Sequence, residues 1–397
     1  MEKQGLNSQK NLSKTKLLVF CGYYPPHIGG SESHSEEFNK HLIKSGDYEV
    51  VVFTSNLPRL DYYRKEREVK VIRFPAFELI SNYPFPKFWH FVFWRQLNAL
   101  RREDFDIVVS RIRFFPTSLI ALFFAKIKKI PWVHIEHSSD FVSLESGWKS
   151  FLSRIYDKII GRTVFRCSDL NISISEAVKK FVNKFDSRHS PVVYRGLDLS
   201  EESAGETALS QMEDEIENKI LIVTVARLYK WKGVNRGMEA VKKLPSKWKE
   251  KVVYVVIGDG EDREILKKKA DGEGNIHFTG FLPRKETLSF LERADIYLHT
   301  SFPGGGLSTS LLEAMRKKCA VVASPREGAD EVLDEDNGFL LKQNFSAGDM
   351  AQKVEFLCKD DTIRKKFAEN AQKTIKERFN WDKSIQEYKK IFNQIRK

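Results

Sequence analysis

Ser301-Phe302-Pro303-Gly304-Gly305-Gly306-Leu307-Ser308-Thr309-Ser310-Leu311-Leu312-Glu313-Ala314-Met315 joins one apolar run, Ile296–Thr300, to an amphipathic segment, and a second apolar run, Ala320–Ala323, follows. The pattern predicts strand, turn, helix and strand, with the helix starting near Ser308 or Ser310. Three consecutive glycines allow a tight turn and a close approach of backbone to ligand. The helix behind them aims its unpaired N–H groups, and the positive end of its dipole, at whatever fills the turn. That suits a phosphate. Glu313, one turn into the helix, could then accept hydrogen bonds from sugar hydroxyls. A second reading makes Ser310-x-x-Glu313 a capping box on an ordinary helix, and the stretch alone does not separate the two.

The same alternation runs outward in both directions. Before the midpoint, strands are expected at Leu17–Cys21, Glu49–Thr54, Val69–Phe74, Ile107–Ser110, Trp132–Ile135, Leu170–Ile174 and Val192–Tyr194. After it, they are expected at Ile220–Ala226, Val252–Ile257, Ile276–Phe278, Ile296–His299, Ala320–Ala323 and Phe339–Leu341. Amphipathic stretches lie between them, such as Glu32–Lys44 with Phe38 and Leu42 one turn apart and Gly46 at its end. Strand–helix alternation predicts an α/β fold with two doubly wound parallel sheets, each binding ligands at the carboxyl ends of its strands. Leu199–Asn218 holds seven acidic residues and no Lys or Arg, as a linker would. The expected division is residues 1–198, a linker at 199–218, a second domain at 219–380, and a terminal helix at 381–397 returning to the first domain.

Composition excludes several classes. A chain of 397 residues with 41% hydrophobic residues and 29 Phe is too apolar for disorder and long enough for two or three domains. No apolar run approaches the ~20 residues of a membrane span, and the polar, lysine-containing stretch Met1–Lys16 does not read as a secretory signal. Cys21, Cys167, Cys319 and Cys358 are scattered, without disulfide-framework or metal-ligand spacing, so a cytoplasmic protein with reduced thiols is expected. Of the net charge of +12, residues 1–198 carry +10, from 31 Lys and Arg against 21 Asp and Glu. Such a basic half attracts anionic partners or simply confers solubility. Between Tyr83 and Arg102, Phe85, Lys87, Phe88, Trp89, Phe91, Phe93, Trp94 and Arg95 interleave aromatic and basic side chains. This fits either a helix lying in the interface of an anionic membrane or an ordinary core-facing helix. No recognisable nucleic-acid module accompanies the charge, so nucleic acid is not an expected partner.

Polar clusters recur at the expected strand ends. Gly22-Tyr23-Tyr24-Pro25-Pro26-His27-Ile28-Gly29-Gly30-Ser31-Glu32 follows the first strand, and Glu136-His137 follows Trp132–Ile135. Arg227 with Lys232-Gly233 follows Ile220–Ala226, and Gly258-Asp259-Gly260 follows Val252–Ile257. On these residues, together with Thr279-Gly280-Phe281-Leu282, Leu312-Glu313-Ala314-Met315, Ser173-Ile174-Ser175-Glu176 and Arg195-Gly196-Leu197-Asp198, the chain resembles the family 4 glycosyltransferases nearly end to end.

The resemblance implies the GT-B fold, two facing doubly wound Rossmann-like sheets with a cleft between them. It also implies a retaining, hexosyl-type transfer from a nucleotide-diphosphate sugar to a glycan or lipid-linked acceptor, in synthesis of cell-surface polysaccharide or glycoconjugate. Arg227 and Lys232 would clamp the diphosphate, Gly29 and Gly30 would approach it with the donor sugar, and His137 would reach the transferred sugar. Gly258 belongs to the same donor site. Gly280, Phe281 and Leu282 would lie beside the nucleobase, and Glu313 would hold the ribose hydroxyls. The family often has a glutamate eight residues before the last; here that residue is Gly305, so contact with the sugar would pass to backbone groups of Gly305, Gly306, Leu307 and Ser308 or be absent. Arg195 stands where the family usually has Asn. These departures leave open a catalytically silent relative that binds nucleotide sugar. No metal or other cofactor is expected, and with a lipid-linked acceptor the protein would sit peripherally on the inner face of the cytoplasmic membrane.

Overall fold

The computed structural model describes residues 14–396 except 67, 81–82, 142–146, 201–206, 303–305 and 327. The first half of the chain forms β1 (Thr15–Phe20), β2 (Tyr48–Ser55), β3 (Tyr63–Glu66), β4 (Val69–Phe74), β5 (Ala76–Ile80), β6 (Tyr83–Pro86), β7 (Ile107–Arg111), β8 (Trp132–Glu136) and β9 (Leu170–Ser173). Its helices include α1 (Gly30–Lys44), α2 (Phe91–Arg101), α3 (Pro116–Lys128) and α4 (Gly147–Cys167). The second half forms β10 (Ile220–Val225), β11 (Val252–Ile257), β12 (Ile276–Gly280), β13 (Ile296–His299), β14 (Ala320–Ala323) and β15 (Gly338–Leu340). Its helices include α5 (Arg284–Arg293), α6 (Thr309–Arg316) and the terminal α7 (Trp381–Ile395).

Two sheets result. The first has the order β3-β4-β2-β1-β7-β8-β9, the second β12-β11-β10-β13-β14-β15. Strands β4 to β8 of the first pair in parallel, with β3 antiparallel at the edge. Every pairing in the second is parallel. Strands covered on both faces must be apolar on both, and β11, Val-Val-Tyr-Val-Val-Ile, is buried throughout. Its alternate residues serve different cores: Val253 and Val255 pack with Val223 and Leu312, while Tyr254 and Val256 pack with Ile222 and Met238.

The chain divides into one compact unit, Met1–Glu136, Leu144–Ile172 and Tyr388–Lys397, and another, His137–Ser143 and Ser173–Glu387. In the first, Phe38 of α1 meets Tyr388 of α7 edge-on, ring centroids 4.7 Å apart. In the second, the acidic stretch read as a linker contributes short helices at Thr207–Ser210 and Glu213–Ile216, and Ile216 is fully buried.

Three sequence readings are corrected. Tyr83–Arg102 is not one helix: Tyr83–Pro86 pairs with Ala76–Ile80 as a two-stranded ribbon, and only Phe91–Arg101 is helical. Proline at positions 84 and 86 withholds the N–H groups a helix interior needs. Val192–Tyr194 is a single bridge, Val192 to Ser173. The edge strand β3 adds to the expected set, because its residues Tyr-Arg-Lys-Glu carry no apolar alternation.

The first unit also buries a charged network. Arg113, after β7, donates through Nε and Nη2 to Asp157 at 2.8 and 2.7 Å, and its Nη1 lies 3.1 Å from Glu136 Oε1. Glu136 meets His134 Nε2 at 3.2 Å, His134 Nδ1 meets Ser110 Oγ at 2.8 Å, and Trp132 Nε1 donates to Ser110. Burial holds the His134 imidazole below its ordinary value, against the raising effect of Glu136. The unfolded chain therefore binds that proton more readily, and this contribution to stability is lost as pH falls below the ordinary 6.5. Replacing Arg113 with Met leaves two buried carboxylates uncompensated, and urea denaturation is expected to show a loss of about 3–5 kcal/mol. His134→Gln should flatten the stability profile below pH ~6.5.

Candidate functional site

Between β10 and β13 the strand order of the second sheet reverses, so the connections leave toward opposite faces and open a crevice at the carboxyl ends. A small polar pocket lies there, lined by Thr224, Ala226, Lys232, His299, Thr300 and Ser301, with Ser308 and Ser310 at the start of α6. Its lining contains no carboxylate among the described residues.

Lys232 is held by its backbone. It ends a single 3₁₀ turn, Lys230–Lys232, closed by Gly233 at φ 64°. A side chain at Gly233 would overlap the carbonyl of Thr300, so this turn lies flat on the segment after β13. Thr300 Oγ1 donates to Lys232 O at 2.7 Å, and Phe302 N donates to Trp231 O at 2.7 Å. The Lys232 ammonium sits 4.2 Å from the Trp231 ring centroid. Arg227 follows Ala226 of the lining and is exposed, its guanidinium over the Tyr229 ring at 5.4 Å. Gly258 fixes this strand end. At φ 136° a Cβ there would overlap the Ala226 carbonyl oxygen, while Leu228 N donates to Asp259 O at 2.8 Å.

The glycine turn is described from Gly306 onward; Gly304 and Gly305 lie outside the described residues. A Cβ on Gly306 would come within 2.6 Å of the His137 carbonyl oxygen, so the turn runs against the backbone at His137. Leu307 buries its side chain in the core, which leaves only its backbone for a ligand. Ser308 is the N-cap of α6 and makes no side-chain cap. Ser310 is already inside the helix and accepts from Tyr297 OH at 2.9 Å. The capping-box reading of Ser310 and Glu313 is thereby overturned: Glu313 is the fifth residue of α6, too far from the end to bond the N-cap backbone. Its carboxylate is buried and pairs with Arg284 at 2.9 Å. Gly280, at φ 75°, ends β12, and Phe281 beyond it is 58% exposed while Leu282 packs on the core.

Gly29 and Gly30 stand in the first unit, at the start of α1. A Cβ at Gly29 would overlap the Glu32 carboxylate, and one at Gly30 would meet nothing within 4 Å. Burial raises the Glu32 pKa, but hydrogen bonds with His27 and Ser31 outweigh it and hold the carboxylate ionised below its ordinary value.

The chain matches the model described as "Glycosyl transferases group 1" over residues 206–374 and that of "Glycosyltransferase Family 4" over 28–201. An uncharacterized glycosyltransferase of Methanocaldococcus jannaschii is 45% identical over 97% of this chain and 100% of its own length. The chain belongs to the family 4 glycosyltransferases. A Campylobacter jejuni relative, named N,N'-diacetylbacillosaminyl-diphospho-undecaprenol alpha-1,3-N-acetylgalactosaminyltransferase, is 24% identical over 93% of this chain and 97% of its own. Among solved structures, sucrose-phosphate synthase of Thermosynechococcus elongatus superposes with a TM-score of 0.77 at 14% identity, covering 96% of this chain and 99% of the other. HepE of Anabaena in complex with UDP-glucose gives 0.73 at 18% identity, covering 96% and 99%. The fold is GT-B, with two parallel-sheet Rossmann-like domains.

Within this glycosyltransferase, the structure brings Lys232 and Ser308 into one pocket and lays Gly306 against His137, while Arg227 follows Ala226 of the lining in the chain without itself belonging to that lining. Two participants were not assigned from sequence. Arg284 pairs with Glu313 from another helix, and nothing in the order of residues announces that. Arg195 is 3% exposed and donates through Nη1 to Thr309 Oγ1, the first residue of α6, at 2.8 Å; its only signal was departure from the family's Asn. The Gly258 turn is the most constrained part of the site. Gly258→Ala should cost about 1–3 kcal/mol of strain or more, seen calorimetrically as a lower Tm, and an unchanged Tm would contradict the close approach to Ala226.

Proposed function

We propose that this protein is a retaining, hexosyl-type glycosyltransferase that moves a sugar from a nucleotide-diphosphate sugar to a glycan or lipid-linked acceptor in cell-surface polysaccharide or glycoconjugate synthesis. The observation that carries the reading is the carboxylate-free polar pocket at the β10/β13 switch point, with Lys232 and the start of α6 in its lining. The pocket itself has room for about one water molecule, so a doubly anionic diphosphate would lie across its mouth, where the helix end supplies N–H groups and Lys232 a point charge. Arg227, exposed and next after Ala226 of the lining in the chain, would add a fork that can grip two phosphate oxygens. The UDP-glucose held by HepE and the diphospho-undecaprenol substrate in the Campylobacter relative's name agree with this choice of donor and acceptor class.

In the proposed reaction the acceptor hydroxyl oxygen bonds the anomeric carbon on the face the diphosphate leaves. The carbon–oxygen bond to the phosphate breaks, its electron pair stays with the phosphate oxygen, and that oxygen takes the hydroxyl proton. Charge grows on the leaving group, where Arg227 and Lys232 stabilise it. His137 reaches the transferred sugar. This scheme needs no protein nucleophile, unlike the paired carboxylates of retaining hydrolases.

A lipid-linked acceptor places the enzyme at an anionic membrane. The first unit exposes Trp89, Phe91 and Trp94 around the start of α2, and Phe123 and Ile127 on α3. Lys87, Arg95, Lys126 and Lys128 accompany them in sequence. Aromatic and basic side chains together favour a headgroup interface.

A thermal-shift panel of UDP-, GDP- and ADP-sugars should single out one donor, because ligand binding raises Tm by mass action; no shift with any nucleotide sugar would sink the reading. With the donor known, Arg227→Ala and Lys232→Ala should each lower turnover at least ~100-fold while Tm holds, and the product should keep the donor's anomeric configuration by NMR. Sedimentation with anionic vesicles should show binding that weakens with salt, and equal binding to neutral vesicles would rule out the proposed surface.

A further inference from the structure

Arg284 is the first residue of α5, where the helix dipole repels a cation and attracts an anion. Glu286, in the same turn, satisfies that preference; Arg284 opposes it. The α5 helix therefore does not explain the arginine. Its guanidinium instead reaches the Glu313 carboxylate of α6 at 2.9 Å, where the carboxylate side chain is 8% exposed and the arginine 34% exposed.

We infer that Arg284 is a positioning residue for the nucleotide's ribose, keeping the buried Glu313 carboxylate charged and fixed so that it can accept the 2′ and 3′ hydroxyls. The inference rests on the donor-site reading of Glu313. A carboxylate taken out of water tends to gain a proton, and a neighbouring guanidinium opposes that. Two oxygens offer about four acceptor positions, so the contact of Arg284 with Oε1 is compatible with hydroxyl donors on the same group. Hydrogen bonds to the charged form are roughly twice as strong as those to a neutral acid. The placement also joins two parts of the nucleotide site. Phe281, largely exposed, precedes Arg284 by three residues in the β12–α5 connection, so the loop that would flank the base also carries the ion that orients the ribose ligand.

The test uses the full-length protein and two probes, UDP and 2′,3′-dideoxy-UDP, titrated calorimetrically. Wild-type protein should bind UDP about tenfold more tightly than the dideoxy analogue, the worth of one good hydrogen bond. Arg284→Ala should lose about that tenfold for UDP while its affinity for the analogue stays within about twofold. Arg284→Lys, which keeps the charge without the fork, should recover part of the loss, and it covers the case in which the alanine variant does not fold. An equal loss for both ligands in either variant, or no loss in Arg284→Ala, overturns the inference while leaving Glu313 as the ribose ligand. Wild-type protein that binds both probes equally removes Glu313 from the ribose, and the role of Arg284 with it.

Discussion

Everything in the second unit depends on one constraint: parallel strands covered on both faces can open to a ligand only where their order reverses. Strands β10 and β13 lie side by side while their connections leave in opposite directions, so the sheet cannot close over their carboxyl ends. The residues that follow these strands are consequently the ones with access to a ligand. Glycine at 233 and 258 lets the connecting backbones approach within van der Waals contact of Thr300 and Ala226.

Charge is treated differently in the two units. Arg113, Glu136, Asp157 and His134 in the first are buried in mutual hydrogen bonds, an arrangement that holds β7, β8 and α4 in register and leaves little capacity for a ligand. Arg227 in the second stays exposed, with its guanidinium over the Tyr229 ring. Glu313 stands between these cases: buried like a structural acid, yet paired with an arginine that is itself one-third exposed.

Periodicity is a sound guide to the parallel strands and a poor one at the edges. The apolar runs of β1, β10, β11 and β14 can be placed in sequence because burial on both faces selects apolar residues along most of their length. Edge strand β3, one side in water, has no such restriction and leaves no pattern. The aromatic stretch from Tyr83 reads as helical by composition, yet its prolines divide it into a strand and a shorter helix. Of the candidate site, Gly233 and Gly258 are legible because the close approach of their backbones to Thr300 and Ala226 demands glycine at a strand end. Arg284 and Arg195 are not, since each acts on α6 from a distant segment.

Sequence alone therefore determined the α/β alternation, the family, and the polar and glycine-bearing clusters that follow the strand ends. These are local properties, expressed through spacing, glycine and charge. Tertiary structure decided which of those residues share a pocket, that Glu313 is paired and does not cap its helix, and that Glu136 belongs to a closed buried network while His137, the next residue, lies against the glycine turn. The reason is physical: a hydrogen bond or ion pair between residues tens of positions apart depends on how helices and strands pack, and no periodicity in the chain encodes the partner.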